Sequence, residues 1–174
     1  MTLLWALYQL SEGRRNNQEI TFADFRRELL ESGARSDVTF ELGSGETVKA
    51  HQTILCARSA YFEAMFARES SFAEADGVVK LPECDSAAAL EAVLKWLYTG
   101  STELADAAVA MDTLRLAHGF MADALVKHCA ERLQSLLTLE NMLVILCLSD
   151  ELRVATLRSA ALAFCGGKFT MLPK

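Results

Sequence analysis

The chain has 174 residues, of which 52% are hydrophobic and 23% charged, a composition typical of one domain with a short extension and unlike that of a disordered segment. Lysine and arginine total 17 against 23 aspartates and glutamates, for a net charge of −6. This acidic balance argues against direct binding of nucleic acid, whose affinity depends on neutralising phosphates, and against docking on an anionic membrane.

Cysteine usage and the N-terminal segment indicate the compartment. The five cysteines are odd in number, widely spaced and without a C-x-x-C pair, which predicts free thiols in a reducing compartment, the cytoplasm or nucleus. The apolar stretch at 1–10 lacks a basic start and a cleavage site, so we expect no signal peptide. Its leucines recur at helical spacing and predict a short helix, followed by a polar linker at 11–19.

A capped amphipathic helix is predicted next. Thr21 and Asp24 form a T-x-x-D signal for a helix N-terminus, and Gly33 is expected to end the helix. Its apolar face consists of Phe22, Phe25, Leu29 and Leu30. On a small domain such a face is covered either by the chain's own core or by a second copy.

The rest of the chain predicts a small sheet followed by many helices. In chain order the patterns are a hairpin at 38–50 that turns at 43–45, a helical stretch at 52–68 broken near Ser59, a loop at 69–77, a strand at 78–81, and a helix capped by Asp85 or Ser86 and ended by Gly100. Further helices are predicted at about 105–118, 121–136, 139–149 and 152–165. The fold class is therefore α+β, a small sheet covered by a cluster of helices.

Several blocks of sequence, all in the right order, resemble the signature of the BTB/POZ domain. They are S-D-V-T-F at 36–40, K-A-H-Q-T-I-L-C-A-R-S-A-Y-F-E-A-M-F at 49–66, V-V-K-L-P at 78–82, A-V-L-K-W-L-Y-T-G at 92–100, L-R-L-A-H-G-F at 114–120, L-V-K-H-C-A-E-R-L at 125–133 and T-L-E-N at 138–141. The resemblance implies the BTB/POZ fold, a small mixed sheet covered by helices and followed by extra C-terminal helices.

Three segments follow from this resemblance. Residues 21–136 form the predicted BTB/POZ domain, and residues 137–174 resemble the start of a BACK helical extension, which we expect to be incomplete. Residues 1–20 form the N-terminal helix and linker. Within them, residues 4–12 resemble the last helix of an armadillo repeat, such as precedes the BTB domain in some plant proteins.

Asp37 and His51 are a predicted structural pair. Asp37 opens the first predicted strand and His51 closes the second. Burying two such groups requires that they be paired or otherwise hydrogen-bonded, and His51 could bond to Asp37. In BTB domains resembling this one the pair is an element of the fold, and neither residue has a nucleophile positioned beside it.

The resemblance implies a homodimer built on the N-terminal helix. In BTB domains similar to this one that helix forms the dimer seam, which assigns Phe22, Phe25 and Leu29 to the interface between copies. The alternative is that this face packs on the chain's own core.

The resemblance also implies a cullin-binding surface. Phe72-Ala73-Glu74 matches the hydrophobic-x-Glu element of BTB domains that bind cullin-3, and Phe120 falls where those relatives carry an aromatic residue between two helices. Phe72, Glu74 and Phe120 are therefore the predicted cullin contacts. The alternative for Phe72 is that it tucks back onto the neighbouring helices.

Metal and catalytic sites are weaker hypotheses. His51 with Cys56, or His128 with Cys129, lacks the four convergent ligands that zinc needs. Cys56 and Cys84 have no motif of a nucleophilic enzyme around them, and Cys56 lies in an apolar helical pattern. We expect no metal, no cofactor and no enzymatic activity.

The function implied by the resemblance is that of a homodimeric adaptor. It would recruit a substrate protein, bound by a domain outside this chain, to a cullin-3 RING ubiquitin ligase. The alternative is an oligomerisation or co-regulator-binding module of a transcriptional regulator that does not bind cullin. The expected partners are a second copy, the cullin-3 scaffold and the substrate protein.

Overall fold

A computed structural model describes residues 21–67 and 77–169 of the chain. The predicted helix at 1–10, its linker and most of the predicted loop at 69–77 lie outside these ranges. Within the described ranges the chain forms eight helices and one three-stranded sheet, which confirms the α+β fold class.

Helix α1 (Phe22–Ser32) begins and ends where its local signals predicted. The Thr21 hydroxyl accepts a hydrogen bond from the Asp24 N–H at 3.2 Å, and the Asp24 carboxylate accepts one from the Thr21 N–H at 3.3 Å. This reciprocal capping box satisfies backbone donors that the first turn leaves unpaired, and the Thr21 hydroxyl lowers the pKa of Asp24. Gly33 ends the helix in the left-handed region, at φ 57.

The sheet is mixed, as predicted. It contains β1 (Val38–Leu42), β2 (Thr47–Ala50) and β3 (Val78–Leu81), in the spatial order β2-β1-β3. Strand β1 is antiparallel to β2 and parallel to β3, and Phe40 lies opposite both Val48 and Val79. A parallel partner requires a long crossover connection, and this connection contains the next two helices.

Ser59 divides the helical stretch after β2, as its position predicted. Helix α2 (Gln52–Arg58) ends there, and α3 (Ala60–Met65) begins with the Ser59 hydroxyl accepting a hydrogen bond from the Phe62 N–H at 3.5 Å. Phe62 is fully buried and meets the ring of Phe40 edge to face at 6.0 Å. This contact holds α3 against the sheet.

Helix α4 (Ala87–Thr99) is the central helix of the domain. The Ser86 hydroxyl caps it by accepting a hydrogen bond from the Ala89 N–H at 3.2 Å, and Gly100 ends it at φ 80. Its buried residues are Ala89, Leu90, Ala92, Val93, Leu94, Leu97 and Tyr98. Because α4 contacts α1, α2 and β2, these side chains connect the layers of the domain.

Four helices complete the described chain. They are α5 (Ala107–Gly119), α6 (Asp123–Ser135), α7 (Met142–Glu151) and α8 (Ala155–Phe169). Helix α7 starts later than predicted, because Thr138 and Asn141 form a turn closed by a 2.8 Å bond from the Thr138 N–H to the Asn141 side chain.

The C-terminal helices share the core of the domain. Ile145, Leu148 and Leu157 belong to the same cluster of buried residues as the sheet and α4. Helix α8 packs on both α7 and α6. The α7–α8 pair is therefore continuous with the rest of the core.

Candidate protein-interaction surfaces

His51 and Asp37 hold the fold together, but they do so through different partners. His51 Nδ1 lies 2.8 Å from the Tyr98 hydroxyl, and His51 Nε2 lies 2.8 Å from the Ala34 carbonyl oxygen. Asp37 is exposed, and its carboxylate accepts a 2.7 Å bond from the Gln52 N–H. Of the two arrangements considered possible for His51, the structure has the one without a direct bond to Asp37, because Tyr98 and Ala34 occupy both ring nitrogens.

One tautomer of His51 satisfies this buried network. A carbonyl oxygen only accepts, so Nε2 carries the hydrogen that Ala34 receives, and the Tyr98 hydroxyl donates to Nδ1. The Tyr98 oxygen in turn accepts from the His51 backbone N–H at 2.8 Å. Burial raises the pKa of Tyr98 and keeps its hydroxyl protonated. The residues therefore have a structural role.

The α1 stripe (Phe22, Phe25 and Leu29) is only partly covered. Helix α1 packs on α4, yet none of its residues is fully buried in the described structure. Leu29 packs against the core, Phe25 is half-buried, and Phe22 is 45% exposed with its ring 6.5 Å from that of Phe25. The stripe thus combines packing on its own core with an open apolar edge.

A second apolar surface lies where α3 meets the turn between α5 and α6. It forms a groove of about 530 Å³, which we name the α3 groove. Its lining residues are Arg58, Ser59, Ala60, Tyr61, Ala64, Met65, Met121 and Ala122. Met121 is 75% exposed and has φ 54, in the left-handed region. A large apolar side chain is therefore presented to solvent by an unusual backbone conformation.

Phe120 lies beneath the α3 groove. Its side chain is 5% exposed, and its ring packs against Phe62 at 4.9 Å and Tyr61 at 5.4 Å. The structure therefore corrects the prediction that Phe120 contacts a partner directly, because its ring is enclosed by its own domain. The other two predicted cullin contacts, Phe72 and Glu74, lie outside the described residues.

A third apolar surface lies on the C-terminal helices. Leu139 is 62% exposed, and Leu143 and Val144 on α7 are 61% and 51% exposed. Leu162 on α8 is 44% exposed. Several exposed large apolar residues close together in the chain are typical of a surface that contacts other protein.

Three cysteines, Cys56, Cys84 and Cys129, lie in environments that disfavour the reactive thiolate. Burial raises the pKa of the Cys56 and Cys84 thiols, and it raises that of Cys129 to about 12. A nucleophilic cysteine needs a lowered pKa, since the thiolate is the reactive species. These thiols behave as small apolar side chains of the core.

This environment predicts the order in which the thiols react. We expect maleimide to modify the exposed Cys147 in the native protein and to leave Cys84 and Cys129 unmodified until the chain unfolds. Mass spectrometry of peptides from native and urea-treated protein measures this order. Rapid native labelling of Cys129 would contradict the buried position of that thiol.

Neither a metal-ligand cluster nor a helix of membrane-spanning character occurs among the residues that the structure describes. Within residues 21–67 and 77–169, no three histidine, cysteine, aspartate or glutamate side chains come together as a metal site requires. His128 bonds to the Thr102 carbonyl at 3.1 Å, and its ring packs against that of Trp96 in a tilted arrangement at 5.0 Å, whereas Cys129 is fully buried. Among the helices of these two ranges, none has the length and apolar character needed to cross a bilayer.

Comparison with known proteins agrees with this architecture. The chain matches the BTB/POZ domain family over residues 27–137. It is 31% identical to Kelch-like protein 40 of Mus musculus over 164 residues, which cover 94% of this chain and 25% of that protein. It is 30% identical to leucine-zipper-like transcriptional regulator 1 of Mus musculus over 142 residues, which cover 79% of this chain and 16% of that protein.

An armadillo-repeat protein is also among the relatives. The chain is 29% identical to the "ARM repeat protein interacting with ABF2" of Arabidopsis thaliana over 138 residues, which cover 79% of this chain and 19% of that protein. The chain thus spans about a quarter or less of the length of these relatives. The family match covers more than half of the chain and includes the whole sheet and helices α2 to α6. This chain therefore belongs to the BTB/POZ domain family and is a protein-interaction module.

Proposed function

We propose that this chain is a homodimeric adaptor that binds the cullin-3 scaffold through the α3 groove and brings a substrate protein to the ubiquitin ligase. The substrate would be bound by a domain outside the chain. The mechanism is proximity, since a dimer that holds two scaffolds raises the effective concentration of substrate near the charged enzyme.

The conformation and exposure of Met121 carry this proposal. A non-glycine residue in the left-handed region costs about 1–2 kcal/mol, and glycine is the usual residue at this position after a helix. Met121 follows the end of α5 and has φ 54, yet it keeps a long side chain that is 75% exposed. Strain retained at a surface site is a sign of function.

The chemistry of the α3 groove suits a helix from a partner. Half-buried Tyr61 and Met65 form its apolar wall, and the buried ring of Phe120 supports Tyr61 from below. Amphipathic helices bind grooves of this kind with their apolar face, and methionine adapts its shape to the partner. In the cullin-binding BTB domains that this sequence resembles, an aromatic residue stands at the position of Phe120 beneath this groove, and the helices that follow the domain extend the cullin contact, as the apolar surface on α7 would here.

The dimer is supported by the α1 stripe. Phe22 is 45% exposed on a helix without a fully buried residue in the described structure. Two-fold pairing buries such a stripe on both copies at once.

The homodimer and the cullin-3 binding are tested together by size-exclusion chromatography with light scattering, run with and without the cullin-3 N-terminal domain. We expect a 2:2 complex. A dimer that does not bind the cullin would overturn the adaptor assignment and favour the co-regulator-binding module. A monomer that binds the cullin would overturn only the dimer.

Replacing Met121 with glycine should separate stability from binding. We expect Met121→Gly to raise the free energy of unfolding by about 0.5–1 kcal/mol, because glycine relieves the left-handed strain. The same change should weaken cullin binding by roughly tenfold or more, because a central apolar contact is lost. Urea denaturation and isothermal titration calorimetry measure the two effects.

A charged variant and a control sharpen the Met121 test. Met121→Lys should abolish measurable cullin binding, whereas Thr47→Lys, an exposed position on β2, should bind like wild type. If Met121→Gly bound the cullin as tightly as wild type, the α3 groove would not be the contact surface.

A further inference from the structure

Arg58 is the one charged side chain that lines the α3 groove within the described part of the chain. The rest of the lining consists of apolar side chains and the hydroxyl-bearing Ser59 and Tyr61. Arg58 precedes α3, and Met65 is the last residue of that helix, so the cation and the methionine lie at opposite ends of the wall that α3 forms. A ligand that fills the groove therefore meets one positive charge at one end of an apolar surface.

The Arg58 guanidinium is fixed in position but has bonding capacity left. Its Nε donates to the Leu97 carbonyl oxygen at 3.1 Å, near the C-terminus of α4, where a positive charge is favourable. An arginine has five N–H donors. Within residues 21–67 and 77–169, the bond to Leu97 is the single hydrogen bond of Arg58, and no carboxylate pairs with it. Its Nη groups are therefore oriented and open to an acceptor that the described structure does not contain.

A second guanidinium, that of Arg26 on α1, adds to the positive charge near Arg58. Burial lowers the pKa of Arg26, and so does repulsion by the charge of Arg58. The Nε of Arg26 is buried without a hydrogen bond, and its guanidinium lies 4.9 Å from the centre of the Phe22 ring. The neighbouring Arg27, by contrast, bonds to the Asp24 carboxylate at 3.1 Å. An anion placed at Arg58 would offset the repulsion between the two uncompensated arginines.

The charge of Arg58 restricts which helices the α3 groove can accept. A purely apolar ligand would strip water from the guanidinium without supplying an anion, which is costly. A carboxylate on the ligand removes this cost, because it accepts charge-assisted hydrogen bonds from both Nη groups. A basic side chain at the same place would be repelled. The groove therefore discriminates between helices by the charge at one end of their apolar face.

We infer that the α3 groove selects an acidic amphipathic helix, whose apolar face packs on Tyr61 and Met65 and whose carboxylate bonds to Arg58. This inference rests on the proposed function, in which the cullin-3 scaffold supplies the helix. It adds the polar contact that gives the groove its specificity, since charge complementarity excludes wrong partners that apolar packing alone would admit. The bond from Arg58 to Leu97 already orders the side chain, so little freedom is lost on binding.

Isothermal titration calorimetry with the cullin-3 N-terminal domain, at low and at high salt, tests the ion pair. Arg58→Met keeps the apolar stem but removes the charge. It should raise the Kd roughly tenfold, because the carboxylate of the ligand is left unpaired in the interface. It should also flatten the dependence of the Kd on salt. Arg58→Lys, which keeps the charge, should retain that dependence.

Arg132→Met is the matched control. Arg132 is also exposed, and its Nε also donates to a backbone carbonyl, that of Leu104 at 2.9 Å. It lies on α6 and is not part of the groove lining. Its replacement should therefore change the Kd less than about threefold, as most surface changes do. Circular dichroism checks that each variant is folded, and urea denaturation gives its stability.

The outcomes separate the ion pair from the adaptor. If wild type binds the cullin and Met121→Gly weakens binding, but Arg58→Met keeps the wild-type Kd and salt dependence, the ion pair is refuted and the adaptor stands. If Arg58→Met leaves the Kd unchanged and destabilises the fold far more than Arg132→Met, the anion belongs to the chain itself and the inference is overturned. If wild type does not bind the cullin, the adaptor assignment fails and the inference fails with it.

Discussion

Tyr98→Phe should lower the free energy of unfolding by about 2–4 kcal/mol, because an unsatisfied buried polar group costs about 1–3 kcal/mol. The change deletes one oxygen and leaves two groups of His51 unpaired, the backbone N–H and Nδ1, each 2.8 Å from the Tyr98 hydroxyl. Tyr98 is fully buried and His51 is 8% exposed, so water has little access to replace the lost bonds. Urea denaturation measures the change.

Tyr61→Phe is the matched control for Tyr98→Phe. Tyr61 is half-buried, and its contacts in the described structure are made by its ring, with Phe62 and Phe120. Loss of its hydroxyl should cost less than about 0.5 kcal/mol, as most surface changes do. If Tyr98→Phe cost no more than Tyr61→Phe, the His51 network would not stabilise the fold.

Gly43→Ala should lower the free energy of unfolding by about as much as Tyr98→Phe, because the added β-carbon would clash with the backbone. A β-carbon at position 43 would lie well inside contact distance of the Pro82 carbonyl oxygen and 2.7 Å from Asp85 Oδ1. The Asp85 side chain can rotate away, but the Pro82 carbonyl belongs to the backbone of the turn between β3 and α4. The Gly43 N–H is also fixed there, since it donates to the Cys84 carbonyl at 2.9 Å. We expect a loss of about 2–4 kcal/mol.

Gly45→Ala, in the same hairpin turn, measures how much stability is lost from backbone strain alone, without a steric clash. Gly45 has φ 85, and a β-carbon there would meet nothing within 4 Å. This variant should lose only about 1 kcal/mol, the cost of a left-handed non-glycine residue. Thermal unfolding of the two variants side by side gives the comparison. Equal losses would mean that the turn at 82–85 moves to accept the extra carbon.

The His51–Tyr98 network and the close approach at Gly43 explain how the fold positions the interaction surfaces. The His51–Tyr98 network ties the end of β2 to the central helix α4, against which α1 packs. The close approach at Gly43 ties the hairpin to the start of α4. The α1 stripe and the α3 groove are therefore carried by a rigid scaffold, which favours binding because few groups need to be ordered on association.

The order of the elements could be predicted from the sequence because the relevant signals are local. The capping box at Thr21, the break at Ser59 and the left-handed glycines at 33 and 100 each act within about four residues. The alternating pattern of β1 likewise records which side of the strand faces the core. Local backbone geometry and the periodicity of burial were sufficient for these features.

Only the tertiary structure decided which distant group each polar side chain bonds to and which apolar side chains are exposed. His51 bonds to a hydroxyl 47 positions away, and no local pattern distinguishes Tyr98 from the nearer Asp37. Phe120 and Met121 are adjacent in sequence, yet one is 5% exposed and the other 75%, because the ring of Phe120 packs on Phe62 from another helix. Burial depends on which distant elements meet, so the sequence determined the family and the elements, whereas packing determined which side chains face a partner.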